Sequence, residues 1–413
     1  MKQICFCLLA ILAFSACSKD QVKERYSFFR PVYQTKENVR ANVRNSPPQD
    51  IQVAGKLVWE DKYIFLNDLD RGVHIIDIND PANPKKIAFI NIPGCVDLAV
   101  NGNILYADCY TDLVAIDISN PQQVVAKQFV PGVFPERVYM GLRPDTSKII
   151  VNWVRVDTVI NKSFEDLQRV DIGGILFFSA SSMGSVSSSS TAGVGITGSM
   201  ARFAATGPRL YTVGTNDLKV FNTSAPALPT FVRTVALNNG GIETIFPYKD
   251  KLFIGSTTGM YVYSAQNPDQ PQQLCQFTHA RTCDPVVADD SLAFVTLRGN
   301  GRCGGAANQL DVVDISNITS PKAVRSYPLK SPGGLSKDGN LLFICDGKDG
   351  LKVFDATSPI AITQLKQFPG FESYDVIARG GIAITVATDG LHLFDYTIPA
   401  LAREVGKISV TAK

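Results

Sequence analysis

The chain has 413 residues, with 40 Lys and Arg against 38 Asp and Glu and only three His. Its net charge of +2 speaks against nucleic acid as the main partner, which calls for a concentrated basic surface. Three His leave little material for His-based catalysis or metal binding, and the length suits two or three average domains or one large all-β unit.

The N-terminus reads as an export signal. Lys2 gives a short positive start, and residues 4–16 then run without a charge. Spanning a bilayer takes about 20 apolar residues, so this segment is too short for that and fits a signal-peptide core. It ends in Phe14-Ser15-Ala16-Cys17, small residues before a cysteine, which resembles the bacterial lipobox with Phe14 in place of the usual Leu. That resemblance implies that residues 1–16 are removed and that Cys17 is diacylated as the mature N-terminus. Ser18, rather than Asp, follows the cysteine, which resembles outer-membrane sorting in diderm bacteria. The expectation is a lipoprotein of the cell envelope, held to the membrane by its lipid. Residues 17–50 are polar and read as a tether, with one short helix near 36–43 and a stop at Pro47-Pro48.

One recurring phrase dominates residues 51–413. An alternating apolar strand ends in Asp, and Pro follows four residues on in a turn. The first copy is Gly72-Val73-His74-Ile75-Ile76-Asp77 with Pro81, and the second is Leu113-Val114-Ala115-Ile116-Asp117 with Pro121. Later anchors are Asn222, Ser264, Asp314, Asp355 and Asp395. They are spaced by 40 to 50 residues except across one interval of 105, between Asp117 and Asn222. A degenerate copy is expected there, with strands at 138–142, 148–156 and 175–178. A Ser/Gly-rich surface loop at 179–199 would replace its regular turn. In the second unit the four strand-like runs are 96–100, 104–107, 113–118 and 124–129. Four short strands per roughly 40 residues are the signature of a β-propeller blade, which buries both faces only by stacking on its neighbours. The expected fold is all-β: a single β-propeller of four-stranded antiparallel blades. Eight blades follow if the degenerate copy counts, and seven if that region is an insertion.

Segments 73–77, 114–117, 310–314 and 353–355, each with its downstream turn, resemble the repeat of the LVIVD-repeat β-propeller lipoproteins. The resemblance covers residues from about 55 to 410 and implies an exported propeller. It carries no catalytic residue over to this chain.

Six cysteines lie beyond Cys5, Cys7 and Cys17. Cys95 stands at the start of a first strand and Cys109 just past the end of the second, and Cys283 and Cys303 stand in the same relation in another unit. Antiparallel pairing brings such ends together, and an exported protein can form disulfides. Cys95–Cys109 and Cys283–Cys303 are therefore the expected pairs, with buried free thiols as the alternative. Cys275 and Cys345 have no local partner.

Few motifs suggest chemistry. Gly299-Asn300-Gly301-Arg302-Cys303-Gly304 has the G-x-G-x-x-G spacing, but a strand follows where a dinucleotide site needs a helix, so it reads as a loop. Asp346-Gly347-Lys348-Asp349-Gly350 resembles part of a calcium loop without the remaining ligands and reads as a tight turn. His74 and His392 share a repeat position that other copies fill with Val114, Lys219, Tyr261, Asp311 and Lys352. Such tolerance is expected of an exposed strand face. His279 has no evident partner. The anchor acids read as turn caps. The sequence offers no cofactor motif and no metal-ligand set.

The start of each first strand lines a propeller's central channel. Matching segment 95–102 to 200–207 sets a register that brings Asp97, Arg137, Arg202, Glu243, Asp284 and Asp375 to the channel or near it. Arg298 and Arg302 stand on a loop that can join that face. Mixed charge there suits a polar or zwitterionic ligand, with Arg gripping a carboxylate or phosphate, or else a network that stiffens the ring. The first functional expectation is a non-enzymatic binding or scaffold module for an envelope protein, peptide or glycan. The alternative is a hydrolase or lyase that uses Asp97 or Asp284 with Arg137 or Arg202, an inference that fold alone does not license.

Overall fold

The computed structural model describes residues 24–137, 139, 145–160, 176–179, 201–237, 241–278, 285–299 and 307–410. The chain divides into two units, residues 1–35 with 138–189 and residues 36–137 with 190–413. The second unit holds seven antiparallel sheets, each built from one contiguous stretch of chain. Their first strands are Ala54–Glu60, Leu98–Asn101, Phe203–Thr206, Ile242–Tyr248, Val286–Ala288, Leu335–Asp338 and Ser373–Arg379. Each first strand lies beside the next, and the seventh returns to the first, so the sheets close a ring of seven blades.

Blade 2 is Leu98–Asn101, Ile104–Cys109, Asp112–Asp117 and Val125–Val130, within two residues of the reading from sequence at most ends. Burial is greatest in the second and third strands and falls in the fourth. The third strands are buried on both faces, as in Gly72–Asp77, while fourth strands such as Lys322–Pro328 alternate between half-buried and exposed. The apolar clusters therefore lie between blades. Ile64 and Ile76 of blade 1 pack on Ile384 and Leu393 of blade 7, and Ala204 and Val220 of blade 3 on Ile245 and Ile254 of blade 4. No strand is exchanged between blades 7 and 1, so side chains hold the closure. The Arg379 guanidinium sits 4.2 Å from the centre of the Trp59 ring and donates to the carbonyl of Asp61 at 3.1 Å.

The repeated phrase has a repeated structure. In every blade the ladder between third and fourth strands slips just before the anchor, as between Ile75 and Ile76 or Val353 and Phe354. Such a bulge adds local twist. The anchor then accepts the backbone N–H two residues on: Asn79 to Asp77 at 2.8 Å, Ser119 to Asp117 at 3.0 Å and Thr397 to Asp395 at 2.9 Å. Asn222 and Ser264 do the same. The anchor acids are turn caps, as their recurrence implied. The turn Pro has a further use. Tyr106 donates to the Pro226 carbonyl of the next blade at 2.8 Å, Tyr211 to Pro268 at 2.9 Å and Tyr327 to Pro359 at 2.9 Å.

Two expectations are corrected here. There are seven blades, not eight, and the region read as a degenerate blade belongs to the first unit. Its strands Lys148–Ile160 and Leu176–Ser179 flank Glu24–Thr35, antiparallel on both sides, so a strand from the expected tether completes the sheet. The local pattern of 148–156 was legible, but a partner more than a hundred residues upstream was not. From residue 24 the expected tether is also structured in its own right. After the helix Lys36–Ala41, where the sequence placed it, Arg44–Ser46 adds a fifth strand to the outer edge of blade 1. The helix buries Val39, and Arg40 pairs with Asp112 at 2.7 Å. The Ser/Gly-rich stretch lies outside the described residues apart from Ser179.

Candidate functional site

The first strands carry charge at the end where they enter the ring. Asp97 precedes Leu98–Asn101 and is 3% exposed. Its Oδ1 accepts the Leu98 N–H at 2.8 Å, and its Oδ2 accepts the Arg202 N–H at 2.7 Å and the ammonium of Lys56. Lys56 lies in the first strand of blade 1, so Lys56, Asp97 and Arg202 join three consecutive blades. Asp375 adds a fourth, blade 7: its side chain accepts the Val376 N–H at 2.8 Å and feels the charges of Lys56 and Asp97.

Burial sets the electrostatics. It pushes the Asp375 carboxyl up to about 8, with the Asp97 charge adding and the Val376 N–H and Lys56 opposing. Burial also lowers the Lys56 ammonium, against the pull of Asp97 and with a push from Arg202. Asp108 lies beneath, accepting the N–H groups of Val96 and Asp97 at 2.8 Å each, and burial lifts it to about 6. The cluster thus offers a neutral acid, an ion pair and an arginine within four neighbouring blades. It can hold a polar group and, through Asp375, donate a proton to one.

Of the residues expected at the axis, Asp97, Arg202 and Asp375 are brought together. Glu243 is half-buried at the second position of its first strand. Arg137 goes elsewhere: it binds Asp70 and the Gly94 carbonyl and covers the Tyr110 ring at 4.7 Å. It braces blades 1 and 2. Arg298 ends the strand Leu292–Arg298, and its charge reaches Tyr374 beside Asp375. Asp284 and Arg302 lie outside the described residues. Lys56 was missed. The first strand of blade 1 is irregular between Ala54 and Leu57, which shifts Lys56 out of the register that located Asp97.

The repeat position of His74 and His392 is buried in six of its seven copies and half-buried at Lys219, because both faces of a third strand meet a neighbouring blade. Each polar occupant is paired. His74 meets Asp68 at 3.1 Å, and Lys352 meets Asp346 at 2.5 Å. His392 has Asp389 and Glu404 on its two ring nitrogens, both at 2.9 Å. Asp346 also accepts the N–H groups of Lys330 and Ser331, at 2.9 and 2.7 Å, which ties the tight turn at 346–350 to the incoming chain. Phe371 stacks on His392 at 4.1 Å, beside a shallow depression of about 300 Å³ lined by Lys348, Glu372, Thr388 and Asp389. Cys95 and Cys109 form no disulfide. Both are buried thiols, and the Cys95 sulfur faces the Asn67 amide of blade 1 at 3.3 Å. Cys275 and Cys345 are buried thiols as well. Cys283, Cys303 and His279 lie outside the described residues.

The LVIVD-repeat profile matches residues 49–88, 95–130 and 303–328, which include the segments of blades 1, 2 and 5 that carry the anchor phrase. Comparison with curated protein sequences gave no match. Among solved structures, a protein from Lactobacillus plantarum is similar with a TM-score of 0.55 at 12% identity, over 94% of this chain and 98% of the other. The computationally designed Ika8 protein is similar with a TM-score of 0.53 at 10% identity, over 89% of this chain and 91% of its own. Likeness at such identities speaks for the fold alone. The chain is thus a seven-bladed β-propeller that carries LVIVD repeats in blades 1, 2 and 5.

Proposed function

We propose that this protein is an exported, lipid-anchored binding module that takes an envelope protein, peptide or glycan at the axial end of its propeller. The observation that carries the reading is the cluster of buried Asp97 and Asp375 with half-buried Lys56 and Arg202, drawn from four adjacent blades. A ring needs no such cluster for stability, since replacing buried ion pairs by apolar groups is often neutral or stabilising. A carboxylate, phosphate or acidic sugar on the partner would meet Arg202 and the protonated Asp375. A panel of acidic peptides and acidic glycans screened by calorimetry tests this. Arg202→Ala should weaken a hit about tenfold, and unchanged affinity would reject the axial site. The anchor is tested separately: palmitate labelling that survives Cys17→Ala would defeat lipidation at Cys17.

A second reading, a hydrolase or lyase, draws on Asp375 alone, a carboxylic acid that keeps its proton at neutral pH and stands near a lysine. Turnover of any panel member that survives Asp375→Asn would remove that support.

A further inference from the structure

The link from blade 6 to blade 7 holds an aromatic ring in a fixed pose. After Phe368 ends the fourth strand of blade 6, Gly370 takes a φ of +102°, which favours glycine, and the chain turns into the first strand Ser373–Arg379. Half-buried Phe371 stands in this link. One face of its ring lies on His392 at 4.1 Å, 18° from parallel. His392 is itself held at both ring nitrogens, by Asp389 and Glu404. The opposite face of Phe371 is the one left to the depression of about 300 Å³, which the ring lines with Lys348, Gly370, Glu372, Thr388 and Asp389.

Three segments of chain make the rim, and backbone hydrogen bonds tie them together. The Thr388 N–H donates to the Glu372 carbonyl at 2.9 Å. The Ser373 N–H donates to the Gly347 carbonyl at 2.9 Å, and its hydroxyl donates to the Gly350 carbonyl at 2.8 Å. The turn at 346–350 of blade 6, the link and the turn at 388–389 of blade 7 thus form one frame, set before a ligand arrives. The depression opens at the end of the ring that carries the axial cluster, with Glu372 three residues before Asp375, but it shares no residue with that cluster.

Charge narrows the class of ligand. Asp389 is already balanced by His392 and by Lys407, the latter at 2.6 Å. The side chains of Lys348 and Glu372 make no ion pair among the described residues, and they cancel each other as net charge. The depression therefore selects neither an acid nor a base. What it offers is an aromatic face with a carboxylate, an ammonium and the Thr388 hydroxyl around it. A neutral pyranose is the complement of that set. Its C–H groups, made positive by the neighbouring oxygens, suit the negative face of an aromatic ring. Its hydroxyls donate to a carboxylate and accept from an ammonium. The volume is at the lower end for ligand pockets and suits a single sugar ring.

We propose that the depression between blades 6 and 7 is a second binding site, which takes a neutral hexopyranose unit of a glycan on the open face of Phe371, with Glu372 and Lys348 on its hydroxyls. This goes beyond the axial reading and does not rest on it.

The test is saturation-transfer NMR on the full chain, with the methyl glycosides of glucose, galactose, mannose and N-acetylglucosamine at millimolar concentration. The expected result is transfer to the ring C–H protons of at least one glycoside, with a Kd on the order of 1 mM, as suits so small a ligand in a shallow site. Phe371→Ala should weaken it about tenfold. Lys348→Ala combined with Glu372→Ala should weaken it about fivefold, and Asp117→Ala, at the other end of the ring, should leave it unchanged. Transfer to none of the four glycosides overturns the proposal, and so does binding that survives Phe371→Ala. Should Phe371→Ala fail to fold, the combined Lys348 and Glu372 variant decides, and unchanged affinity in it overturns the proposal. Nα-acetyl-lysinamide that binds here where the glycosides do not would make this a cation site and overturn it as well. The acidic panel read through Arg202 reports on the axial site by itself, so the failure of either site is distinguishable from the failure of the other.

Discussion

At the end of the ring that carries the turns between third and fourth strands, seven blades repeat one device. A short polar anchor accepts the N–H two residues on, and where Pro follows, its carbonyl can serve the neighbouring blade. At the axial end the blades differ: Lys56 in blade 1, Asp97 in blade 2, Arg202 in blade 3 and Asp375 in blade 7. The first set of polar groups is half-buried and satisfied mainly within its own turn. The second centres on two buried carboxylates, each taking a backbone N–H from its own blade, with Asp97 also held by Lys56 and the Arg202 N–H from the blades on either side. Repetition therefore marks backbone chemistry that any blade needs, and its absence marks groups whose partners exist once. The two sets should differ sharply in what their removal costs.

The largest effect is expected at Lys56. Lys56→Met removes the ammonium and leaves Asp97 buried with backbone donors only. Removing one partner of a buried pair costs roughly 3–5 kcal/mol. Denaturant unfolding of the isolated protein measures it. Lys56→Met combined with Asp97→Asn should recover part of the loss, because the uncompensated charge is then gone. A cost below about 1 kcal/mol would mean that the axial end behaves like the turn end, and the contrast would fall.

Asp375 sharpens the contrast through pH. Its folded value of about 8 lies above the ordinary 3.8. A carboxyl raised by folding binds its proton more tightly in the native state. Its contribution to stability is fully present below about pH 4 and is lost as pH rises through 8. The loss is on the order of 1.4 kcal/mol per unit of pH within that window. Asp375→Asn lacks the titrating group. Its melting temperature relative to the unsubstituted protein should therefore be higher at pH 9 than at pH 5. A difference that stays flat between the two would show that Asp375 is ionised in the fold.

What the sequence disclosed follows the same division. The anchor phrase, the four-strand unit and the turn caps were readable because each is local and repeated. Blade 2 could be placed strand by strand for that reason. Two kinds of information were hidden. One was long-range pairing: Lys148–Ile160 looked like a blade strand, and nothing in its pattern announced Glu24–Thr35 as its partner. The other was burial in the third strand. A position that accepts Val114, Tyr261, His74 and Lys352 looks exposed, yet a ring buries it in every one of these cases and supplies Asp68 or Asp346 to pair the polar ones. Axial Asp97, Arg202 and Asp375 were found by register alone, and Lys56 was lost where the register broke.

The smallest effect, and the control for the others, is expected at Asp117. Its carboxylate accepts the Ser119 N–H at 3.0 Å and the Ser119 hydroxyl at 2.5 Å and pairs with Lys127 at 3.1 Å. These contacts, the hydroxyl first, hold it down to about 2. Water reaches this turn, so a lost acceptor is replaced rather than left empty, and a net hydrogen bond is worth about 1 kcal/mol or less. Asp117→Ala should therefore cost under about 1 kcal/mol in denaturant unfolding and leave binding at the axial end unchanged. It should also remove a small acid-labile part of the stability. A carboxylate lowered by folding stabilises above its unfolded value, and that share is lost as pH falls from about 4 towards 2. If Asp117→Ala cost as much as Lys56→Met, the anchor would be holding blades together and not merely closing a turn, and recurrence along the chain would cease to separate local chemistry from the groups on which the axial site depends.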